Sequence, residues 1–160
     1  PRGFAAVGRF DLDPCAAPDP RPWPTALVHY ALPMNGLALP WFGRVWVNPP
    51  FGQAATPWLE RLVEHGDGVA LLPARTDTAA FYRFVWDRAA AVLFVRNRVV
   101  FHAGFDTTIQ HNGRDVLVRW GEPFPFNLGA PVVLAAYGEH NAARLESCGL
   151  GACVRRVDLG

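Results

Sequence analysis

Residues 44–73 read RVWVNPPFGQAATPWLERLVEHGDGVALLP, and the order of signals in this stretch decides the fold class. Arg44-Val45-Trp46-Val47 is a run rich in β-branched and aromatic residues, and Asn48-Pro49-Pro50 stops it because proline has no N–H to give to a ladder. A helix follows: Thr56 is placed to cap it, Pro57 suits its first turn, Trp58, Leu59, Leu62 and Val63 form its apolar stripe, and Gly66 can end it. Val69-Ala70-Leu71-Leu72 is then an unbroken apolar run ending at Pro73, the pattern of a strand buried on both faces of a parallel sheet.

Working outward, the same alternation continues. Upstream, Gly8-Arg9-Phe10-Asp11-Leu12-Asp13 reads as a short strand ending in acidic residues. The closely spaced prolines of residues 14–40 forbid long regular elements, so that segment is expected to be loop and turn. Downstream, Thr76 or Asp77 is placed to cap a helix carrying Phe81, Phe84 and Val85, and residues 91–95 follow as a strand. Beyond it, residues 99–101, 116–118 and 132–135 are strand-like without intervening helices, and only residues 141–147 look helical. The pattern predicts one α/β domain over residues 1–160, doubly wound, with a mostly parallel sheet and antiparallel strands towards the C-terminus.

Composition narrows the function classes without choosing one. The chain has 160 residues, 51% of them hydrophobic, which is enough to bury a core in one domain. A net charge of +1 with no block of like charges suggests neither disorder nor a polyanion-binding tail. All 15 basic residues are Arg, a bias that a GC-rich genome explains as readily as selection for phosphate contacts. Cys15, Cys148 and Cys153 are odd in number and lack zinc-site spacing, and the five histidines are scattered, so no metal centre is expected. A reducing cytoplasm fits this cysteine usage. No apolar run has the length of a membrane helix, and residue 1 is Pro rather than Met, which leaves room for an upstream segment.

The chemistry-bearing residues are Asn48, Pro49, Pro50 and Phe51, placed by this pattern where ligands bind in open α/β sheets, beyond the carboxyl end of a strand. An amino group on an aromatic base is a poor nucleophile because its lone pair is delocalised into the ring. The Asn48 amide oxygen and the Pro49 carbonyl, both accepting hydrogen bonds from one NH2, would favour its pyramidal form and the charge that develops on it. Proline fixes φ, so these acceptors would not relax when a base enters, and Phe51 offers a flat face on which a flipped base can stack. An ordinary proline turn after a strand is the plain alternative.

In several blocks, in order, the chain resembles the phage and prophage DNA N6-adenine methyltransferases of the Dam type. The blocks are residues 10–17 (FDLDPCAA), 41–52 (WFGRVWVNPPFG) and 71–78 (LLPARTDT), continued by residues 94–101 and 123–138. The resemblance implies a Rossmann-like S-adenosylmethionine-dependent methyltransferase acting on adenine in DNA, with residues 48–51 as its catalytic motif. It also implies that the cofactor, S-adenosylmethionine, meets Asp11, Asp13, Pro14, Cys15 and Ala16. Two departures are visible: Pro14-Cys15-Ala16-Ala17 stands where many such sites have a glycine-rich turn, and Asn35 stands where the family often has an acidic residue. Arg75, Arg96 and Arg98, near predicted strand ends, are the candidates for DNA phosphates.

Two other readings share these residues. Protein glutamine N-methyltransferases need the same Asn-Pro-Pro-aromatic turn, and a prophage remnant could keep the fold as a binding module without cofactor. Target specificity is placed by elimination in the proline-rich loop before Trp41 and in residues 102–114. A bacterial or phage-infected cytoplasm is the expected setting, with DNA as partner and no membrane.

Overall fold

The stretch quoted above folds as a strand, a helix and a strand at the centre of a mixed α/β structure. The computed structural model describes residues 5–125 and 131–156. In chain order the elements are β1 (Leu12–Asp13), β2 (Val28–His29), β3 (Val45–Val47), α1 (Thr56–His65), β4 (Gly68–Pro73) and α2 (Ala79–Phe81), which widens into a π turn at Tyr82–Trp86. β5 (Ala91–Val95), β6 (Thr107–His111), β7 (Arg114–Val118), β8 (Val132–Tyr137), α3 (Glu139–Ser147) and β9 (Gly151–Arg155) follow. Seven strands form one sheet in the order β2-β1-β3-β4-β8-β5-β9, and β6 and β7 pair separately.

The first four of these strands run parallel, with Leu12 beside both Val28 and Val45, and Val45, Trp46 and Val47 beside Gly68, Val69 and Ala70. β8 then enters between β4 and β5, antiparallel to both, and β9 closes the edge antiparallel to β5. The expected parallel sheet with antiparallel C-terminal strands is therefore present. β4, however, has a parallel neighbour on one side only, and the helical part of the chain is small.

Alternation along the strands divides the core between two faces. Val45, Val47, Ala70, Leu72 and Val92 face α1 and α2, and pack with Leu59, Leu62, Phe81, Phe84 and Val85. Trp46, Val69, Leu71 and Leu93 face the other way, onto Ala142 and Leu145 of α3 and onto Val7 and Phe10. Leu62 is fully buried, a contribution of about 1.5–3 kcal/mol relative to an exposed side chain.

Several expectations need correction. The strand expected over residues 8–13 is only Leu12–Asp13; before it, Phe10 accepts from the Leu27 N–H, and Asp11 accepts from the Val28 N–H and donates to the Arg44 carbonyl. Residues 14–40 contain a strand, β2, whose two residues owe their conformation to pairing with β1. Ala55, not Thr56, is the cap of α1, because a 3-10 turn at Gln53–Ala55 runs directly into the helix; Gly66 does end it, its N–H bonded to the Leu62 carbonyl at 2.9 Å. Thr78, not Thr76 or Asp77, caps α2, its hydroxyl accepting from the Phe81 N–H at 3.2 Å. Residues 99–101 form no strand; Phe101 accepts one bond from the Phe124 N–H, and His102 and Pro123 make an isolated bridge. Part of the block at residues 123–138 lies outside the described residues.

Candidate active site

The sheet order reverses at β1. From β1 the chain goes to β2 on one side, then crosses to β3 on the other. A reversal of this kind leaves a crevice outside the carboxyl ends of the strands, the usual ligand position in open α/β sheets. A cleft of about 630 Å3 lies there, within the size range of small-molecule sites. Its walls are residues 14–17 after β1, residues 30–36, residues 48–51 after β3, Trp58 of α1, and Phe101 from the segment after β5. Among the described residues, none of the lining side chains is charged.

Asn48, Pro49, Pro50 and Phe51 thus come together with Pro14, Cys15 and Ala16. Asn48 is half-buried, and no described residue hydrogen-bonds its side-chain amide. Pro49 is buried and Pro50 exposed, so one ring anchors the turn and the other fixes its outer edge. The Phe51 ring meets Phe101 edge to face, with centroids 6.0 Å apart and planes at 88°.

Asp11 and Asp13 do not line the cleft. Asp11 accepts the Arg44 N–H at 2.7 Å, tying the approach to β1 to the start of β3. Asp13 is 3% exposed; one oxygen accepts the Cys15 N–H at 3.0 Å and the other the Thr25 hydroxyl. Its carboxylate therefore shapes the wall at residues 14–17 from behind. Burial pushes its pKa up to about 6, against the pull of Thr25, the Cys15 N–H and the Arg21 charge. Burial, helped by the Asp13 charge, pushes the Cys15 thiol up to about 12, so this sulfur stays protonated at neutral pH.

The wall at residues 30–36 carried no signal in sequence beyond Asn35. Gly36 is required by close approach: a Cβ there would lie 1.8 Å from the Pro14 carbonyl oxygen, so the two walls touch main chain to main chain. The Ala16 N–H donates to the Tyr30 carbonyl at 3.1 Å across the same contact. From outside, the Trp41 indole donates to the Gly36 carbonyl at 2.8 Å and the Tyr30 hydroxyl to the Pro40 carbonyl at 2.9 Å. Arg61 donates to the Leu37 and Leu39 carbonyls and stacks over the Trp41 ring, which lies on Trp58. Trp58 reads in sequence as part of the apolar stripe of α1 and Phe101 as strand; both also line the cleft.

Arg75, Arg96 and Arg98 are exposed on the segments leaving β4 and β5, at the same edge of the sheet but outside the cleft. Among the described residues no three His, Cys, Asp or Glu side chains are grouped to hold a metal ion, and no helix is long and apolar enough to cross a membrane. Comparison with protein-family models, with curated proteins and with solved structures returned no match to this chain.

Proposed function

We propose that this chain is an S-adenosylmethionine-dependent methyltransferase of Rossmann-like fold that methylates the N6 amino group of adenine in DNA. The observation that carries this reading is the Asn48 amide, held after β3 at the reversal of the sheet, in a cleft it shares with residues 14–17, and bonded to no described residue. A polar side chain so placed keeps its hydrogen-bonding capacity for a ligand.

The residues present fit the cofactor in kind. Small side chains at Ala16 and Ala17 admit close approach to the main chain, Met34 and Trp58 offer apolar surface to a nucleoside, and among the described residues no Arg or His lines the cleft to repel a sulfonium. When bound, the cofactor supplies an electrophilic methyl group. Asn48 and the Pro49 carbonyl accept the two N–H bonds of the amino group, which draws its lone pair out of the ring. The prolines keep these acceptors in place, and Phe51 replaces part of the stacking that a base loses on leaving the duplex. Asp13 is a positioning residue, acting through the wall at residues 14–17.

Incubating the protein with radiolabelled S-adenosylmethionine and unmethylated duplex DNA, then analysing the nucleosides, tests the assignment. N6-methyladenine is expected. Labelling of a protein substrate with none in DNA would overturn it in favour of glutamine methylation.

A further inference from the structure

The segment after β5 does more than supply Phe101. The chain leaves the sheet at Val95 and returns at Val132, two points on the edge where the cleft opens, since Phe94 pairs with Val133 and Pro73 with Val132. Between them β6 and β7 form a two-stranded ribbon of five residue pairs, hydrogen-bonded to no strand of the main sheet. Asn112 and Gly113, with φ of 50° and 72°, make its turn, and this turn type matches the twist of a hairpin.

A lone hairpin is marginal in water, so its base needs fastening. Val118 and Ala103 are buried at that base. The Ala103 N–H donates to the Glu122 carbonyl at 2.9 Å, the Gly121 N–H to the Ala103 carbonyl at 2.8 Å and the Trp120 N–H to Asp106 at 2.7 Å. The Trp120 indole reaches the Pro20 carbonyl, and Trp23 meets the His102 ring edge to face at 5.1 Å, which ties the base to the loop after β1. The ribbon is thus fastened at its base, beside the cleft.

Its two faces differ. Thr107, Ile109 and His111, opposite Val118, Val116 and Arg114, form one face, half-buried or buried apart from the exposed Arg114 at the turn. Thr108 opposite Leu117, and Gln110 opposite Asp115, form the other, and all four are exposed, with Gln110 donating to the Asp115 carboxylate. No described residue covers this outward face. It carries an amide, a carboxylate, a hydroxyl and an aliphatic group, the types that read adenine, the cytosine amino group and the thymine methyl in the major groove. Five residues at about 3.3 Å each span roughly 17 Å, and the groove is about 8.5 Å deep, so the tip can reach its floor while the base stays at the rim. Arg98, on the segment that leads to β6, and Arg119, directly after β7, are exposed and in no ion pair among the described residues, as phosphate contacts require.

We infer, on the proposal above that DNA is the substrate, that the β6–β7 ribbon lies in the major groove and reads the target sequence beside the base that enters the cleft. A peptide adding to a ribbon edge would use main-chain groups and would leave this face idle.

The test uses binding, which needs no methyl transfer. The full chain and the Gln110→Ala/Leu117→Ala variant, each checked by thermal melting, select from a pool of random-sequence duplexes. Fluorescence anisotropy then gives their affinities for selected and unselected duplexes. The wild-type protein is expected to recover a short sequence motif. The variant, at exposed positions and so melting like the wild type, loses the motif and binds the selected duplex about tenfold to a hundredfold more weakly, with little change on unselected DNA. Recovery of the same motif with the same affinity by the variant overturns the ribbon's role, as does a wild-type protein that binds no duplex or selects no motif. A wild-type protein that selects a motif through the ribbon yet methylates no adenine would instead sink the methyltransferase assignment and leave the ribbon standing.

Discussion

Arg44 and Asn48 stand at the two ends of β3, and the protein treats these polar side chains in opposite ways. At the amino end, Arg44 is 8% exposed and its guanidinium donates to the Val7 and Arg9 carbonyls at 2.8 Å each and to the Asn141 amide oxygen, while stacking 4.1 Å from the Phe10 centroid. Asn141, fully buried, passes its own two N–H bonds to Asp67 and to the Tyr137 carbonyl, both at 2.7 Å. Every group there is spent on the fold. At the carboxyl end, the Asn48 amide bonds to no described residue and faces the cleft. Two asparagines of one chain thus differ in where their hydrogen bonds go, and that difference separates a structural lock from a binding group.

The contrast can be broken by substitution. Arg44→Ala leaves the Asn141 oxygen and two carbonyls without donors in a buried place and is expected to cost about 3–5 kcal/mol of stability, seen as a lowered denaturant midpoint. Asn48→Ala is expected to leave the melting temperature and cofactor binding unchanged while lowering single-turnover methyl transfer about 10²-fold or more. Wild-type rates in that variant would remove Asn48 from the mechanism. A large loss of stability would instead place it with the structural groups at the other end of the strand.

Much of this polarity was legible before the fold was seen, because it rests on local signals. The run from Val45 to Val47, its stop at two prolines and the stripe of α1 ending at Gly66 are contiguous in sequence. Other features depend on distant partners. β2 exists because Val28 and His29 pair with Leu12 and Asp13, and Asp13 turns away from the cleft because Thr25, twelve residues on, meets its carboxylate. β8 enters between β4 and β5, strands far from it in sequence, a placement that no apolar run announces. The wall at residues 30–36 is irregular backbone shaped by Gly36 against Pro14 and by Trp41 and Arg61, contacts that only the fold brings together.

Asp13 tests whether the division between locked and open ends is clean, for it is a fully used group directly behind the open site. Its folded pKa, about 6, stands above the ordinary 3.8, so the folded protein holds a proton that the unfolded chain releases between these values. The stability this confers is present below about pH 4 and is lost as pH rises through 6. At pH 7.5 a buried negative charge therefore works against the fold. Asn in its place can still accept from the Cys15 N–H and can donate to the Thr25 hydroxyl. Asp13→Asn is expected to raise stability at pH 7.5 by about 1 kcal/mol, roughly 2–4 °C in Tm, and to give no gain at pH 4. Melting curves that fall in parallel at both pH values would show that the charge is not what Asp13 contributes.

Arg61 offers the finest adjustment of the contrast, since it is a locked group whose bonds hold a wall of the open site. Its guanidinium ties the Leu37 and Leu39 carbonyls to α1 and lies over Trp41, yet it lines no part of the cleft. Loss of these bonds should loosen residues 30–36 without disturbing Asn48, which is held by β3 and its prolines. Arg61→Ala is expected to raise KM for the cofactor by about threefold, the scale of less than one net hydrogen bond, with kcat within about twofold of wild type. Lys at this position restores the charge but not the paired donation to two carbonyls, so Arg61→Lys should recover only part of the loss. A fall in kcat at unchanged KM would mean that the wall at residues 30–36 bears on the reacting group itself, and that the open end of β3 extends across the whole cleft.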